Sequence, residues 1–152
     1  MLASQNRNVQ GRLARLRENA LRQGLRMTPQ RDVLLRVLAR ASHHPTAEQL
    51  YRGVRRALPS VSPATVYRNV QMLAQAGVIS TLERAGDAVR YDPNPDDHHH
   101  FTCSRCGEVM DIYLSSVQYK VDGGRSRLGA ARIESCEVQF RGLCAPCRAE
   151  GA

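Results

Sequence analysis

Asp97-His98-His99-His100-Phe101-Thr102-Cys103-Ser104-Arg105-Cys106 gathers three of the chain's five histidines and two of its five cysteines into ten residues, behind a carboxylate. Two donor chemistries stand side by side. Cys103 and Cys106 offer soft thiolates two residues apart, and Cys144 and Cys147 repeat the spacing near the C-terminus. Two such pairs supply the four sulfurs of a closed tetrahedral zinc site, with zinc–sulfur bonds of about 2.3 Å. The 37 residues between the pairs exceed a zinc-finger loop, so the site would clamp a small domain. Imidazole is harder and suits zinc, iron, manganese or nickel, and carboxylate partners shift the preference toward iron and manganese. Paired disulfides are the competing reading of the cysteines, and a polar loop that of the histidines. A fifth cysteine, Cys136, and the lack of an apolar leader favour reduced, metal-bound thiolates.

Working outward, 152 residues make one medium domain or two small ones. No apolar run approaches the roughly 20 residues that cross a bilayer, so a soluble, cytoplasmic chain is expected, with no membrane partner. The net charge of +8 is unevenly spread: residues 1–84 hold 14 basic and 4 acidic residues, residues 85–152 hold 8 and 10. A basic half joined to a ligand-rich half points to a nucleic-acid reader with a sensing module.

In the basic half, Val9, Leu13, Leu16 and Ala20 mark one face of a helix that Gly24 ends. Thr28-Pro29 opens a second helix, with Val33, Leu34, Val37, Leu38 and Ala41 as its buried stripe. Thr46 and Gln49 form the capping box of a third, with Leu50, Tyr51 and Val54 facing inward and Pro59 closing it. Ser62-Pro63 starts a fourth that ends at Gly77. Its seam is Val66, Val70 and Leu73, leaving Thr65, Arg68, Asn69 and Gln71 on other faces, short enough to reach into a major groove. Val78–Arg84 and Ala88–Asp92 read as a hairpin around Ala85-Gly86-Asp87, where a winged helix-turn-helix has its wing. Beyond a Pro-rich linker, Val109 to Leu114 reads as a buried strand and Cys136 to Phe140 as a strand with one polar face. A weak, glycine-broken helix is expected within 115–130. The expected class is α+β: a winged helix-turn-helix domain (1–91), a hinge (92–97) and a small zinc-stapled α/β dimerisation domain (98–152).

These residues resemble the ferric uptake regulator family of metal-dependent bacterial repressors, from about Leu21 to Cys147. Leu25-Arg26-Met27-Thr28-Pro29-Gln30-Arg31 is similar to its entry motif, and His44-Pro45-Thr46-Ala47 to the turn bearing a metal-ligating histidine. Ser62-Pro63-Ala64-Thr65-Val66-Tyr67-Arg68 resembles its recognition helix. The resemblance implies a homodimer on a double-stranded DNA operator, an inverted repeat, with DNA contacts from Arg26, Thr65, Tyr67 and Arg68. It implies structural zinc on Cys103, Cys106, Cys144 and Cys147, and regulatory iron(II) or manganese(II) on His44, Asp92, His98, His100 and Asp111. Iron-uptake members usually carry glutamate at the two carboxylate positions, whereas the peroxide-sensing branch carries aspartate, and zinc-uptake members place a cysteine there. The chain is therefore most similar to the peroxide-stress branch, in which a ligating histidine is oxidised. A repressor sensing iron, manganese or zinc supply alone is the alternative.

Cys136 falls where iron-uptake members place an ancillary ligand. With His99 it would hold a further metal or act as a thiol switch, and otherwise it is an inert strand cysteine. An enzyme is not expected, since a zinc deaminase needs a His-x-Glu ahead of its cysteine pair and the chain has none. A metal-stapled adaptor without DNA binding would leave the Arg-rich half unexplained.

Overall fold

The computed structural model describes residues 2–82, 88–94, 96, 98–116, 118, 131–132 and 138–151. The chain divides into two units, Met1–Pro95 and Asp96–Ala152.

The first unit is built from α1 (Leu2–Arg22), α2 (Pro29–Arg40), α3 (Ala47–Ala57), α4 (Pro63–Gln75), β1 (Ser80–Leu82) and β2 (Arg90–Asp92). Local chemistry sets the boundaries. Thr28, Thr46 and Ser62 each accept the backbone N–H three residues on, and Gln49 completes the capping box at Thr46. Gly24 and Gly77 take φ of 75° and 67° just past α1 and α4, where a side chain would be strained. Leu16, Ala20, Leu34, Leu38, Leu50, Val54, Val66, Val70 and Leu73 close one core. α1 is also pinned to α2 by polar contacts: Arg12 donates to Ala41 O (2.8 Å) and Arg17 to Asp32 (2.7 Å). Burial pushes the Asp32 carboxyl up, but the hydrogen bonds from Arg17 and Arg36 outweigh it and hold the group below its usual value. A depressed carboxylate stabilises only while ionised, so this clamp weakens as pH falls through that lowered value.

Two expectations about faces need correcting. In α2, Leu35 and Ala39 are buried, whereas Val33 and Val37 are half-buried and Ala41 is the C-cap. α2 packs against α1, α3 and α4, so its buried arc is wider and rotated from the stripe expected. Tyr51 is half-buried and packs against the core, as expected of a residue facing inward. Asn69 is buried rather than exposed, and its amide donates to Thr65 O at 2.8 Å, satisfied within its own helix.

β1 and β2 pair antiparallel from Ser80 opposite Asp92 to Leu82 opposite Arg90. Val78 and Ile79, expected in the strand, instead fill the core. The turn at 85–87 lies outside the described residues.

The second unit contains β3 (His99–Cys103), β4 (Val109–Ile112), β5 (Gln139–Gly142) and α5 (Ala145–Ala149). Its sheet order is β4-β3-β5, with β4 antiparallel and β5 parallel to β3. The strand expected to be buried from Val109 to Leu114 ends at Ile112 and buries only Val109, while Met110, Tyr113 and Leu114 are exposed. Apolar composition marked the strand but not its accessibility. β5 begins at Gln139, and the expected residues before Val138, Cys136 among them, lie outside the described residues, as does most of 115–130. Among the described residues of this unit, Cys103, Cys144 and Cys147 form a buried cluster with Phe101 beside it.

Candidate metal centres and DNA-reading helix

Cys103 ends β3, and Cys106 follows across a turn that Gly107 completes at φ 72°. Gly107 N–H donates to Cys103 O (3.0 Å) and Cys103 N–H to Glu108 O (2.8 Å). The second pair sits on α5, with Cys144 as N-cap and Cys147 three residues on, the spacing that puts both on one helix face. The pairs are laced together: Ser104 donates to Gly142 O, Arg105 to Cys147 O, and Cys144 N–H to the Cys103 sulfur. All four sulfurs lie within 4.8 Å of one another. Cys106 and Cys144 stand 3.7 Å apart. A disulfide would need about 2.05 Å. A tetrahedron with zinc–sulfur bonds of about 2.3 Å has edges of about 3.8 Å, so the set fits zinc.

Its electrostatics agree. N–H groups of Cys106 and Cys144 pull the Cys103 thiol down to about 6, while the hydrogen bond from Cys144 and burial push Cys147 up to about 12. The N–H groups thus favour the thiolate at Cys103, while its neighbours and burial disfavour it at Cys147, so a cation among the sulfurs is what would let all four ionise. Metal binding must therefore release protons, and it weakens as pH falls.

In the first unit the structure brings His44 beside Asp92, 48 residues away in sequence. Thr46 bridges Arg90, Tyr91 N–H donates to Pro45 O (2.9 Å), and the Arg90 guanidinium donates to His44 O (3.0 Å). The His44 turn thus runs along β2, which ends at Asp92. Both side chains are buried, with His44 Nε2 3.7 Å from Asp92 Oδ1. Asn94 N–H donates to the same oxygen at 2.8 Å and orients the carboxylate. A spacing of 3.7 Å is too long for a hydrogen bond. Two donors at about 2.1 Å from one ion stand about 3.0 Å apart at a right angle and further apart at wider angles, so the pair suits an ion.

In the second unit, side-chain alternation puts His98 and His100 on one face of β3 and His99 on the other. The antiparallel register sets Asp111 directly opposite His100. His98 Nε2 is 3.0 Å from His100 Nε2 and 3.7 Å from Asp111 Oδ1. His98 Nδ1 lies 2.6 Å from Asp96 O, and a carbonyl only accepts, so Nδ1 donates there and, in the neutral ring, Nε2 carries the lone pair. A lone pair aimed at a second imidazole and a carboxylate matches the donor set of a borderline or hard divalent ion. His99 is differently employed: its Nδ1 accepts the Val138 N–H at 3.3 Å.

On α4, Val66, Asn69, Val70 and Leu73 face the core, and Tyr67, Arg68 and Gln71 are exposed. Thr65 is half-buried, its hydroxyl 2.9 Å from Ser62 Oγ, which makes it part of the cap. Arg26 is exposed just before α2.

A family model described as the ferric uptake regulator family matches residues 22–140. The chain belongs to the ferric uptake regulator family. It is 28% identical over 128 residues to the peroxide-responsive repressor PerR of Staphylococcus epidermidis, covering 84% of this chain and 85% of that protein. Among solved structures it is similar to a zinc-bound manganese uptake regulator, at 28% identity and a TM-score of 0.63 over 85% of this chain and 98% of that one. The ferric uptake regulator of Helicobacter pylori shares its fold, with a TM-score of 0.65 at 24% identity over 92% and 93% of the two chains. The chain is thus a metal-responsive regulator of the ferric uptake regulator family, whose members are dimeric DNA-binding proteins and not enzymes. No helix among the described residues is long and apolar enough to cross a membrane.

Several supporting residues were not picked out from the sequence. Asn94 and Asp96 orient Asp92 and His98 from within the linker, and its many Asx and Pro residues were the available signal. Arg31 is buried, donating to Arg26 O and toward the Met72 sulfur of α4, so it ties the entry motif to the fourth helix. Nothing in the periodicity marked it.

Proposed function

We propose that this chain is a metal-activated DNA-binding repressor whose regulatory metal senses peroxide. Structural zinc is assigned to Cys103, Cys106, Cys144 and Cys147, and regulatory iron(II) or manganese(II) to His44, Asp92, His98, His100 and Asp111. The observation that carries the reading is the His98–His100 nitrogen pair at 3.0 Å with Asp111 beside it. Both carboxylates are aspartates, the choice that the resemblance ties to peroxide sensing, and the similarity to a peroxide-responsive repressor supports it.

Bound iron(II) would supply the electrons that reduce peroxide. The chain's own residues do the rest. The two carboxylates balance the charge of a dication, and Asp96 holds the His98 tautomer that presents Nε2. Ligands drawn from both units would fix their relative orientation, and in a homodimer that sets the spacing of two copies of α4 on an inverted-repeat operator. Loss of a ligand frees the segment 92–97 to act as a hinge, and DNA affinity falls because one conformer alone matches both half-sites. Tyr67 and Arg68 would read the DNA, with Arg26 and Thr65 at the edges. Such a protein works in the cytoplasm, where its operator is. His99 and Cys136 would form an ancillary site at most.

A second reading, a repressor of metal supply without peroxide chemistry, is favoured by the similarity to a manganese uptake regulator. DNA binding by the iron- and manganese-loaded forms, before and after dilute peroxide, separates the two. Peroxide should release the iron form alone, and an iron form that holds its DNA establishes the second reading.

Arg68 supplies a prediction about the helix itself. Arg68→Ala should weaken operator binding with the fold intact. A phosphate contact shows as a salt slope smaller by about one unit, a base contact as relaxed specificity. Wild-type affinity with an unchanged slope would remove Arg68 from the interface.

A further inference from the structure

α2 and α3 approach closely at Gly53, where an added Cβ would stand 2.6 Å from Val37 Cγ1. Alongside this contact the two helices leave a groove of about 880 Å³, wholly within the first unit. Its walls are arginine: Arg36 and Arg40 one turn apart on α2, Arg52 and Arg56 one turn apart on α3. Between them lie half-buried Val33 and Val37, with Leu50 buried beneath. The acidic residue of the lining, Asp32, is already bonded to Arg17 and Arg36, and Arg52 is paired with Glu48. Arg40 and Arg56 have no ion-pair partner among the described residues.

We propose that this groove docks an acidic amphipathic helix of a partner protein. The apolar strip calls for an apolar stripe, and the arginines on both walls call for carboxylates flanking it on both sides. The i,i+4 spacing along each wall, about 6 Å, is the spacing at which a helix presents successive carboxylates on one edge. Guanidinium groups pair with carboxylates through two parallel hydrogen bonds. α2 is 12 residues long, about 18 Å, so three to four turns of partner helix fill its length. Duplex DNA meets the charge requirement but gains nothing from Val33 and Val37, whereas a helix laid in the groove buries them. The site would let the regulator recruit or be restrained by an acidic protein segment while α4 is occupied elsewhere.

The test uses the full-length, metal-loaded protein and three fluorescent probes. One is a 16-residue peptide with Leu at i, i+3, i+4 and i+7 flanked by Glu. The others are a scrambled peptide of the same composition and an operator duplex. The amphipathic peptide should bind at least tenfold more tightly than the scrambled one. Arg40→Gln/Arg56→Gln should cost it at least tenfold, and Val33→Asn should also weaken it, with operator affinity and circular dichroism unchanged. Glutamine is a good helix former, and neither arginine holds an ion pair among the described residues that the change would break. Equal binding of both peptides, or peptide binding indifferent to the variants, overturns the proposal. So does a double variant that loses the operator instead, which would make the groove a phosphate contact. Operator affinity in the wild-type chain is read separately, so failure of the DNA-binding reading stays distinguishable.

Discussion

Cys103→Ser removes the zinc and unfolds the second unit while leaving the helical core of the first in place. That is the largest effect expected of any single substitution here. Cys103 is fully buried at the end of the central strand, and Cys103, Cys144 and Cys147 with Phe101 make up the unit's described core. Structural zinc sites contribute roughly 10–16 kcal/mol in zinc-finger peptides, as much as the about 5–15 kcal/mol that holds a whole domain together. Losing one thiolate therefore abolishes the folded state of this unit. Zinc content by atomic emission, near-ultraviolet circular dichroism and gel filtration read it directly. A Cys103→Ser protein that is zinc-free yet keeps the β4-β3-β5 sheet would contradict the structural assignment.

The second large effect falls on regulation and spares stability. Asp111 is exposed on β4, opposite His100, so Asp111→Ala costs little in folding. It removes a ligand and a negative charge from beside His98. The variant should retain its zinc and its dimer, yet need at least about 10-fold more manganese(II) to bind DNA, since even the outer-shell partners of a metal site are worth about 10- to 100-fold. Manganese titration followed by DNA-binding anisotropy measures this. An unchanged midpoint would take Asp111 out of the regulatory site.

These two sites differ in how far the sequence discloses them. The cysteine pairs are legible because each pair is local and the chemistry of four thiolates admits few partners. The helix starts at Thr28, Thr46 and Ser62 were legible for the same reason, since a cap acts within four residues. The pairing of His44 with Asp92 is not local. It depends on Thr46 bridging Arg90 across 44 residues, which no periodicity records, and only the family resemblance pointed to it. The face of α2 was read a little off because three helices compete for it. Met110, Tyr113 and Leu114 are apolar yet exposed, and apolar composition alone cannot separate a core strand from an open one. Arg31 shows the converse, a charged residue buried because backbone and sulfur acceptors receive it.

The central claim is that a histidine ligand, and not a thiol, records peroxide. Protein loaded with iron(II) on His44, Asp92, His98, His100 and Asp111 is to be given dilute peroxide and digested, and its peptides weighed. The expected result is one added oxygen on a peptide containing His44 or His98, release of DNA, no reversal by thiol reductants, and neither change in the manganese form. Oxidation at Cys136 with binding restored by reductant would contradict it.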